Sequence, residues 1–339
     1  MKKVKTIDAV GHTLCHDVTQ VVKDFRAGAL FKKNHVVKEE DIEKLLSAGK
    51  YHLYIYEVNE DMLHENDAAK ILYELCANKK MKSSEVNEGK IEVIAEIDGL
   101  FKVDTKRLQA INELGDIIIA TRHQNTVVKK GDRLAGTRVI PLIIPKDKLT
   151  EAKKIAGSKS LFDIMPFYSF KVGVITVGNE IYYGRIQDTF TSVIEEKLKN
   201  YNLKIDKHVV VKDDSSEIKS AIHKFKEEGT KLIICTGGMS VDADDLTPSA
   251  IASSGADILT YGTPVLSGSM LLIGYFEDGT PILGLPACVM YAKATSFDLV
   301  FPRILAKDKI TKKELSTLGH GGLCLKCPVC RFPHCQFGK

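Results

Sequence analysis

Between Lys171 and Leu305 short apolar segments alternate with helical ones, and this alternation limits what the chain can fold into more than any other feature. Lys171–Val177, Lys204–Val211 and Lys231–Thr236 read as strands, the last of them rich in isoleucine. Gln187–Asn200, Ser216–Glu228 and Thr247–Ser254 read as helices, with Pro248 suited to a first helical turn. Strands Met270–Phe276 and Pro281–Leu285 flank the turn Glu277-Asp278-Gly279-Thr280, and one long helix is expected over Cys288–Leu305. Strand and helix in strict succession predict an α/β domain: a doubly wound, mostly parallel sheet with helices on both faces. Ligands of such sheets bind beyond the carboxyl ends of the strands, where the loops converge.

The remainder is less regular. A chain of 339 residues exceeds the size at which a single core stops growing, so two or three domains are expected. The reading divides it into a small β-rich domain (1–60), a mixed α/β region with a connector (61–168), the doubly wound domain (169–310) and a cysteine-rich tail (311–339). Within 1–60, Lys5–Val10 and Tyr51–Val58 read as strands, and Lys38–Ala48 as a helix ended by Gly49. The stretch Lys33–Ile42 followed by a helix resembles a β-clip of the SAF type. Farther along, Asn66–Cys76 and Asp104–Leu114 read as helices, and Lys90–Ile97, Asp116–Ala120 and Arg138–Ile144 as strands; Lys146–Ser169 reads as a partly helical connector. A mixed α+β N-terminal half is the expectation.

Charge excludes some partners. The net +4 is spread along the chain and forms no concentrated basic face, so nucleic acid is not expected. No segment approaches the ~18 uninterrupted apolar residues of a membrane helix. The lysines near the N-terminus precede no apolar segment of a signal peptide. A cytoplasmic protein is expected.

Chemistry concentrates at the predicted strand ends. Thr176-Val177-Gly178-Asn179-Glu180 follows the first strand, and Asp188-Thr189 precedes a helix that either residue can cap. Asp213-Asp214 occupies the same position after the second strand, where carboxylates favour the positive end of a helix. The most specific stretch follows the third strand: Thr236-Gly237-Gly238-Met239-Ser240-Val241-Asp242-Ala243-Asp244-Asp245-Leu246-Thr247-Pro248. Two adjacent glycines let backbone amides face an anion, and Ser240 and Thr247 add hydroxyls. Like charges ~4 Å apart repel by about 4 kcal/mol at an effective dielectric of 20. Crowded aspartates beside an anion therefore call for a cation, and Mg²⁺ is the natural choice. Gly268 and Leu285-Pro286 are turn residues that could close a pocket.

The ordered set Thr-x-Gly-Asn-Glu, Asp-Thr, Asp-Asp, Gly-Gly-x-Ser-Val with a downstream Asp-x-Thr, Ser-Gly and Leu-Pro resembles the molybdopterin-binding domain. That domain is shared by molybdopterin molybdenumtransferases, molybdopterin adenylyltransferases and the competence-damage-inducible proteins. The resemblance covers about 140 of the 339 residues. It implies that Gly237, Gly238 and Ser240 bind the pterin phosphate or adenylate, and that Asp245, with Thr247, is the acid for adenylyl or metal transfer. It further implies that Glu180 helps hold Mg²⁺, for which the crowded acids themselves offer Asp242 and Asp245 as further ligands. Thr176, Gly178, Asp188 and Thr189 would line the pocket, Asp213 and Asp214 its rim, and Gly268, Leu285 and Pro286 its far side. The chain departs from the transferase pattern: Asp242 replaces Gly, Phe190 replaces Asn, Ser269-Met270 replaces Lys-Pro, and Ala287-Cys288 replaces Gly-Asn. It also lacks the Ser-x-x-Asp-Gly-Tyr segment that supplies a transferase acid across a dimer interface.

Of eight cysteines, four crowd into the tail as Cys324-x₂-Cys327-x₂-Cys330-x₄-Cys335, a compactness that suits a Zn site or an Fe–S cluster. The resemblance thus implies binding of molybdopterin or adenylyl-molybdopterin in molybdenum-cofactor biosynthesis, with a molybdenumtransferase-like enzyme assisting molybdate insertion. One alternative is a non-catalytic carrier or sensor that serves a client molybdoenzyme. Another is a nucleotide pyrophosphatase of the competence-damage-inducible type. The family also implies a homo-oligomer.

Overall fold

The computed structural model describes residues 2–20, 29–55 and 61–339, and the chain forms two compact units. The first comprises Lys102–Arg122, Lys129–Asp163 and the described part of Met1–Ile97. Here strand Lys2–Lys5 pairs antiparallel with His52–Ile55. The expected strand Lys5–Val10 is instead a 3₁₀ turn, Thr6–Asp8, and Tyr56–Val58 of the other expected strand lies outside the described residues. A small core of Leu14, Val18, Val37, Leu45 and Leu53 forms against helix Asp41–Ser47. A four-stranded antiparallel sheet follows, in the order Met81–Ser83, Lys90–Ala95, Arg133–Val139, Ile117–Thr121. Helix Glu65–Cys76 packs on it through Ala68, Leu72 and Cys76, which recur every four residues on one face. Much of the expected connector is helix: Lys146–Ala156 buries Leu149, Ala152 and Ala156.

The second unit takes in Asp98–Phe101, His123–Val128 and Ile164–Lys339. Its principal elements are β1 (Val172–Val177), α1 (Phe190–Lys199), β2 (Ile205–Val211), α2 (Ser215–Glu227), β3 (Leu232–Thr236), α3 (Thr247–Ser253), β4 (Asp257–Tyr261), β5 (Leu272–Tyr275), β6 (Pro281–Leu285), α4 (Ser296–Leu305) and α5 (Lys312–Thr317). The sheet order is β2-β1-β3-β6-β5-β4. The first four strands run parallel, with Thr176 beside Thr236 and Thr236 beside Leu285; β5 and β4 complete the sheet antiparallel. Every residue of β1, β3 and β6 is buried, as expected of parallel strands covered on both faces.

Alternation along these strands assigns the two faces. Val172, Val174, Leu232, Ile234, Leu283 and Leu285 point to α1 and α4, where they meet Ile194, Leu198, Phe297 and Phe301. Ile175, Val177, Ile233, Cys235 and Ile282 point to α2 and α3, where they meet Ile218, Ile222, Phe225 and Ile251. Helix starts are chemically marked. Asp214 accepts from the amides of Ser216 and Glu217 at 2.9 and 3.0 Å, and Thr295 with Asp298 makes a capping box on α4. That box begins the helix at Ser296, so the long helix expected from Cys288 is a 3₁₀ turn, Ala287–Met290, a break, and then α4. No helix among the described residues is long and apolar enough to cross a membrane.

The β5–β6 turn carries an acid whose ionisation reports on folding. Lys226 reaches Asp278 at 2.6 Å, and with the amide and hydroxyl of Thr280 it lowers that carboxyl from 3.8 to about 2. The native state thus favours the ionised form, so this contribution is complete above pH 3.8 and disappears as pH falls toward 2. Asp278→Asn should therefore be less stable than the wild type near pH 6, by on the order of 0.5 kcal/mol for so exposed a pair. The two urea curves should converge by about pH 2. A pH-independent gap would sink this account.

The C-terminal tail docks on this unit. Phe337 is buried with Val265 and Ala294, and Phe332, Cys324 and Cys335 pack around them. Leu266 donates to the Gly322 carbonyl at 2.8 Å and accepts from the Cys324 amide at 2.6 Å.

Candidate functional site

The glycine loop leaves β3 at Thr236 and turns sharply. Gly237 has φ +86°, and a Cβ there would sit on the Val177 carbonyl oxygen, so only glycine lets the loop cross the end of β1. Thr247 then closes the loop: its hydroxyl donates to the Gly237 carbonyl at 2.8 Å and its amide to the Gly238 carbonyl at 3.1 Å. Tyr261, at the end of edge strand β4, donates its hydroxyl to the carbonyls of Met239 (2.9 Å) and Ser240 (3.2 Å). Burial, then Asp245, raises the pKa of this phenol, so it stays protonated as a donor. Every loop carbonyl from Gly237 to Ser240 is thus engaged, whereas the amides of Gly238, Met239 and Ser240 have no acceptor among the described residues. A row of free amides in a glycine turn is an anion seat. Beneath it the hydroxyl of Thr236, fully buried, also lacks a partner among the described residues.

This loop forms one wall of a cavity of about 590 Å³, within the size range of small-molecule sites. Gly237, Gly238, Ser240, Asp242 and Asp245 line that wall. Leu266–Met270 forms a second, Pro286–Cys288 with Tyr291 a third, and Leu323, Cys324 and Lys326 of the tail a fourth. Of the residues singled out in the sequence, the cavity brings together Gly237, Gly238, Ser240, Asp242, Asp245, Gly268, Pro286 and Cys324. Asp213 lies close by. One of its oxygens accepts from the Asn179 amide at 2.8 Å, and the other would be 3.7 Å from a Cβ on Gly238.

The rest serve elsewhere. Asp214 caps α2, and Leu285 is wholly buried in the sheet. Asp188 gives one oxygen to the Phe190 and Thr191 amides at the start of α1 (2.8 and 3.2 Å). Its other oxygen joins a network with the hydroxyls of Thr176 (3.1 Å) and Thr191 (2.6 Å) and with His208 (3.3 Å). Burial opposes ionisation of Asp188, but these donors outweigh it and lower the pKa. Thr189 sits at the N-cap of α1 without a side-chain bond. Gly178 makes the turn after β1, and Glu180 is exposed on the single helical turn Asn179–Tyr182.

The expected metal ligands are not gathered among the described residues. Among the described residues no three Asp, Glu, His or Cys side chains are gathered to hold an ion. Glu180 is exposed, and Asp245 turns a carboxylate oxygen back to the Asp242 amide at 3.0 Å. Nor do the four tail cysteines converge. Cys324 and Cys335 pack against the Phe337 cluster, while Cys327 and Cys330 stand exposed. Sequence reasoning missed Tyr261, Cys288, Tyr291 and Lys326. Lys326 follows Cys324 closely, but only the pairing of Gly322–Cys324 with Leu266 brings it to the cavity.

Residues 173–306 match the family described as "Probable molybdopterin binding domain". The C-terminal half carries a domain of the molybdopterin-binding family. Residues 3–57 match a family described only as a domain of unknown function. A "Putative competence-damage inducible protein" of Bacillus cereus (strain AH187) is 36% identical over 94 residues, 28% of this chain and 23% of that protein. A protein of the same name from Bacillus anthracis (strain A0248) gives the same figures. The chain thus spans about a quarter of the length of the curated relatives it matches. Among solved structures, the molybdopterin biosynthesis enzyme MoaB of Thermus thermophilus is 25% identical, covering 42% of this chain and 99% of that one at a TM-score of 0.33. The protein CinA of Thermoplasma acidophilum is 22% identical, covering 35% and 88% at 0.30. The matched residues include strand β3, the whole glycine loop and all of β1 but Val172.

Proposed function

We propose that the cavity of the molybdopterin-binding domain holds adenylated molybdopterin, and that the protein assists molybdate insertion during molybdenum-cofactor assembly. The observation that carries this reading is the row of unpaired amides from Gly238 to Ser240, directed by Tyr261 and Thr247 and facing a cavity large enough for a pterin. Such donors recognise a phosphate without needing side-chain charge. In the reaction, water attacks phosphorus and the phosphoanhydride bond breaks to give AMP and the pterin phosphate, while two Mo–S bonds form to the dithiol as one molybdate oxygen leaves as water with the two thiol protons. Asp245, on the cavity wall, is the group that would take the proton of the attacking oxygen. Ser240, exposed at the loop, adds a hydroxyl donor to the phosphate. No step here is assigned to a protein-bound metal.

A second reading is a nucleotide pyrophosphatase, which the resemblance to the competence-damage-inducible proteins implies; the Bacillus relatives bear that family's name. A carrier that passes the pterin to a client molybdoenzyme is the reading that the absent transferase segment favours. One assay separates the three. Purified protein is incubated with adenylyl-molybdopterin, with and without molybdate, and AMP is measured against Asp245→Ala. Release that needs molybdate and falls at least about tenfold in the variant supports insertion. Release without molybdate points to the hydrolase. Retention of the pterin without release points to a carrier. No retention at all overturns the assignment.

A further inference from the structure

The tail does more than cover the domain. Gly322 and Cys324 bond to the backbone of Leu266 at 2.8 and 2.6 Å, and Leu266 itself lines the cavity. This pairing, anchored by buried Phe337, carries Leu323, Cys324 and Lys326 to the cavity as a wall. The charges around the cavity are unbalanced without it. Asp242 and Asp245 line it as acids, and Lys326 is the one basic side chain among the described residues that do so. Two carboxylates beside an anion seat repel a phosphate, and the exposed side chain of Lys326 brings the one positive charge that reduces that repulsion. Lys326 also holds a left-handed backbone, φ +50°, which a lysine rarely adopts and which the docked tail must impose.

We propose that Lys326 is a specificity-determining residue of the pterin site, and that its ammonium binds the ligand's phosphate and selects phosphorylated over dephosphorylated pterin. The proposal rests on the pterin reading and names the residue that discriminates within it. The cavity would then be completed by the tail, with Cys288 and Cys324 on two of its walls as natural reporters.

Fluorescence titration with molybdopterin and with its dephosphorylated form tests this in the full-length chain. Lys326→Ala should weaken molybdopterin binding about 5- to 30-fold and leave the dephosphorylated form unchanged. Lys326→Arg should stay within about threefold of wild type. Lys313→Ala, on exposed α5, controls for loss of general positive charge and should change neither affinity. Equal affinity of Lys326→Ala and wild type for molybdopterin, or an equal loss for both pterins, overturns the proposal while leaving the pterin site in place. Failure of the wild type to bind either form overturns the pterin reading and this proposal together. A second readout uses alkylation followed by mass spectrometry. Saturating molybdopterin should protect Cys288 and Cys324 but not the exposed pair Cys327 and Cys330. Unchanged labelling of Cys324 in the presence of bound ligand overturns the tail's place in the site.

Discussion

Gly237→Ala is expected to abolish retention of the pterin and to destabilise the C-terminal domain by about 2–4 kcal/mol. The substitution adds a single carbon, and that carbon falls on the carbonyl oxygen of Val177 at the end of β1. Two costs combine. The backbone at φ +86° must be abandoned or held against a side chain, and β1 or β3 must move to clear the overlap. Neither strand is free to move: both are buried along their whole length, and they pair directly. The loop is the element that yields, and as it swings out the amides of Gly238 to Ser240 lose their common direction. Affinity for molybdopterin should fall more than about 100-fold, since several phosphate bonds are lost together. Urea unfolding and pterin titration measure the two effects separately. A variant with wild-type affinity would show that the loop does not form the seat.

The second large effect lies far from the ligand. Arg303 is buried near the end of α4, where its Nε donates to Asp308 at 2.5 Å and an Nη donates to Glu314 at 3.0 Å. Both Arg303 and Asp308 are almost sealed from water, at 7% and 12% exposure, so the pair is not screened as a surface bridge would be. Removing Arg303 takes from Asp308 and Glu314 a shared charged donor in a poorly solvated place. Arg303→Ala should cost about 3–5 kcal/mol, read from the urea midpoint. Arg303→Lys keeps the charge but cannot reach both carboxylates with one fork, so it should fall between the two. A loss below about 1 kcal/mol for the alanine variant would mean that Asp308 finds water when Arg303 is gone.

How much of this was legible in the sequence depends on whether the signal is local. The buried parallel strands read clearly, because Val172–Val177 and Leu232–Thr236 have little polar surface to offer water. Helix α2 read well because Asp214 stands before an amphipathic run. Edge strand β4 did not read at all: Asp257 and Thr260 interrupt its apolar run, and only two of its residues pack on a core cluster. The long helix expected from Cys288 overran a stop that was present in the letters. Thr295-Ser296-Phe297-Asp298 is a capping box, and it begins α4 rather than lying within a longer helix.

The glycine loop was legible for the same local reason, since turn, hydroxyls and acids lie in one stretch. The expected metal ligands lie apart here because neighbouring letters need not converge. Asp245 spends an oxygen on its own loop, and Phe332 and Phe337 draw Cys324 and Cys335 into an apolar cluster that leaves Cys327 and Cys330 outside. The fourth wall of the cavity was beyond any local pattern. It depends on a backbone pairing between the Leu266 turn and the tail, and nothing in either segment alone announces the other.

The phenol of Tyr261 gives edge strand β4 a hold on how the glycine loop is polarised. Because it pins two successive carbonyls, the matching N–H groups are left pointing away from it. If β4 detaches from the sheet margin, those peptide units are free to reverse, and the surface that had attracted a phosphate would present oxygen to it instead. The outermost strand thereby fixes the direction of the last amide of the row, while Thr247 fixes the first two.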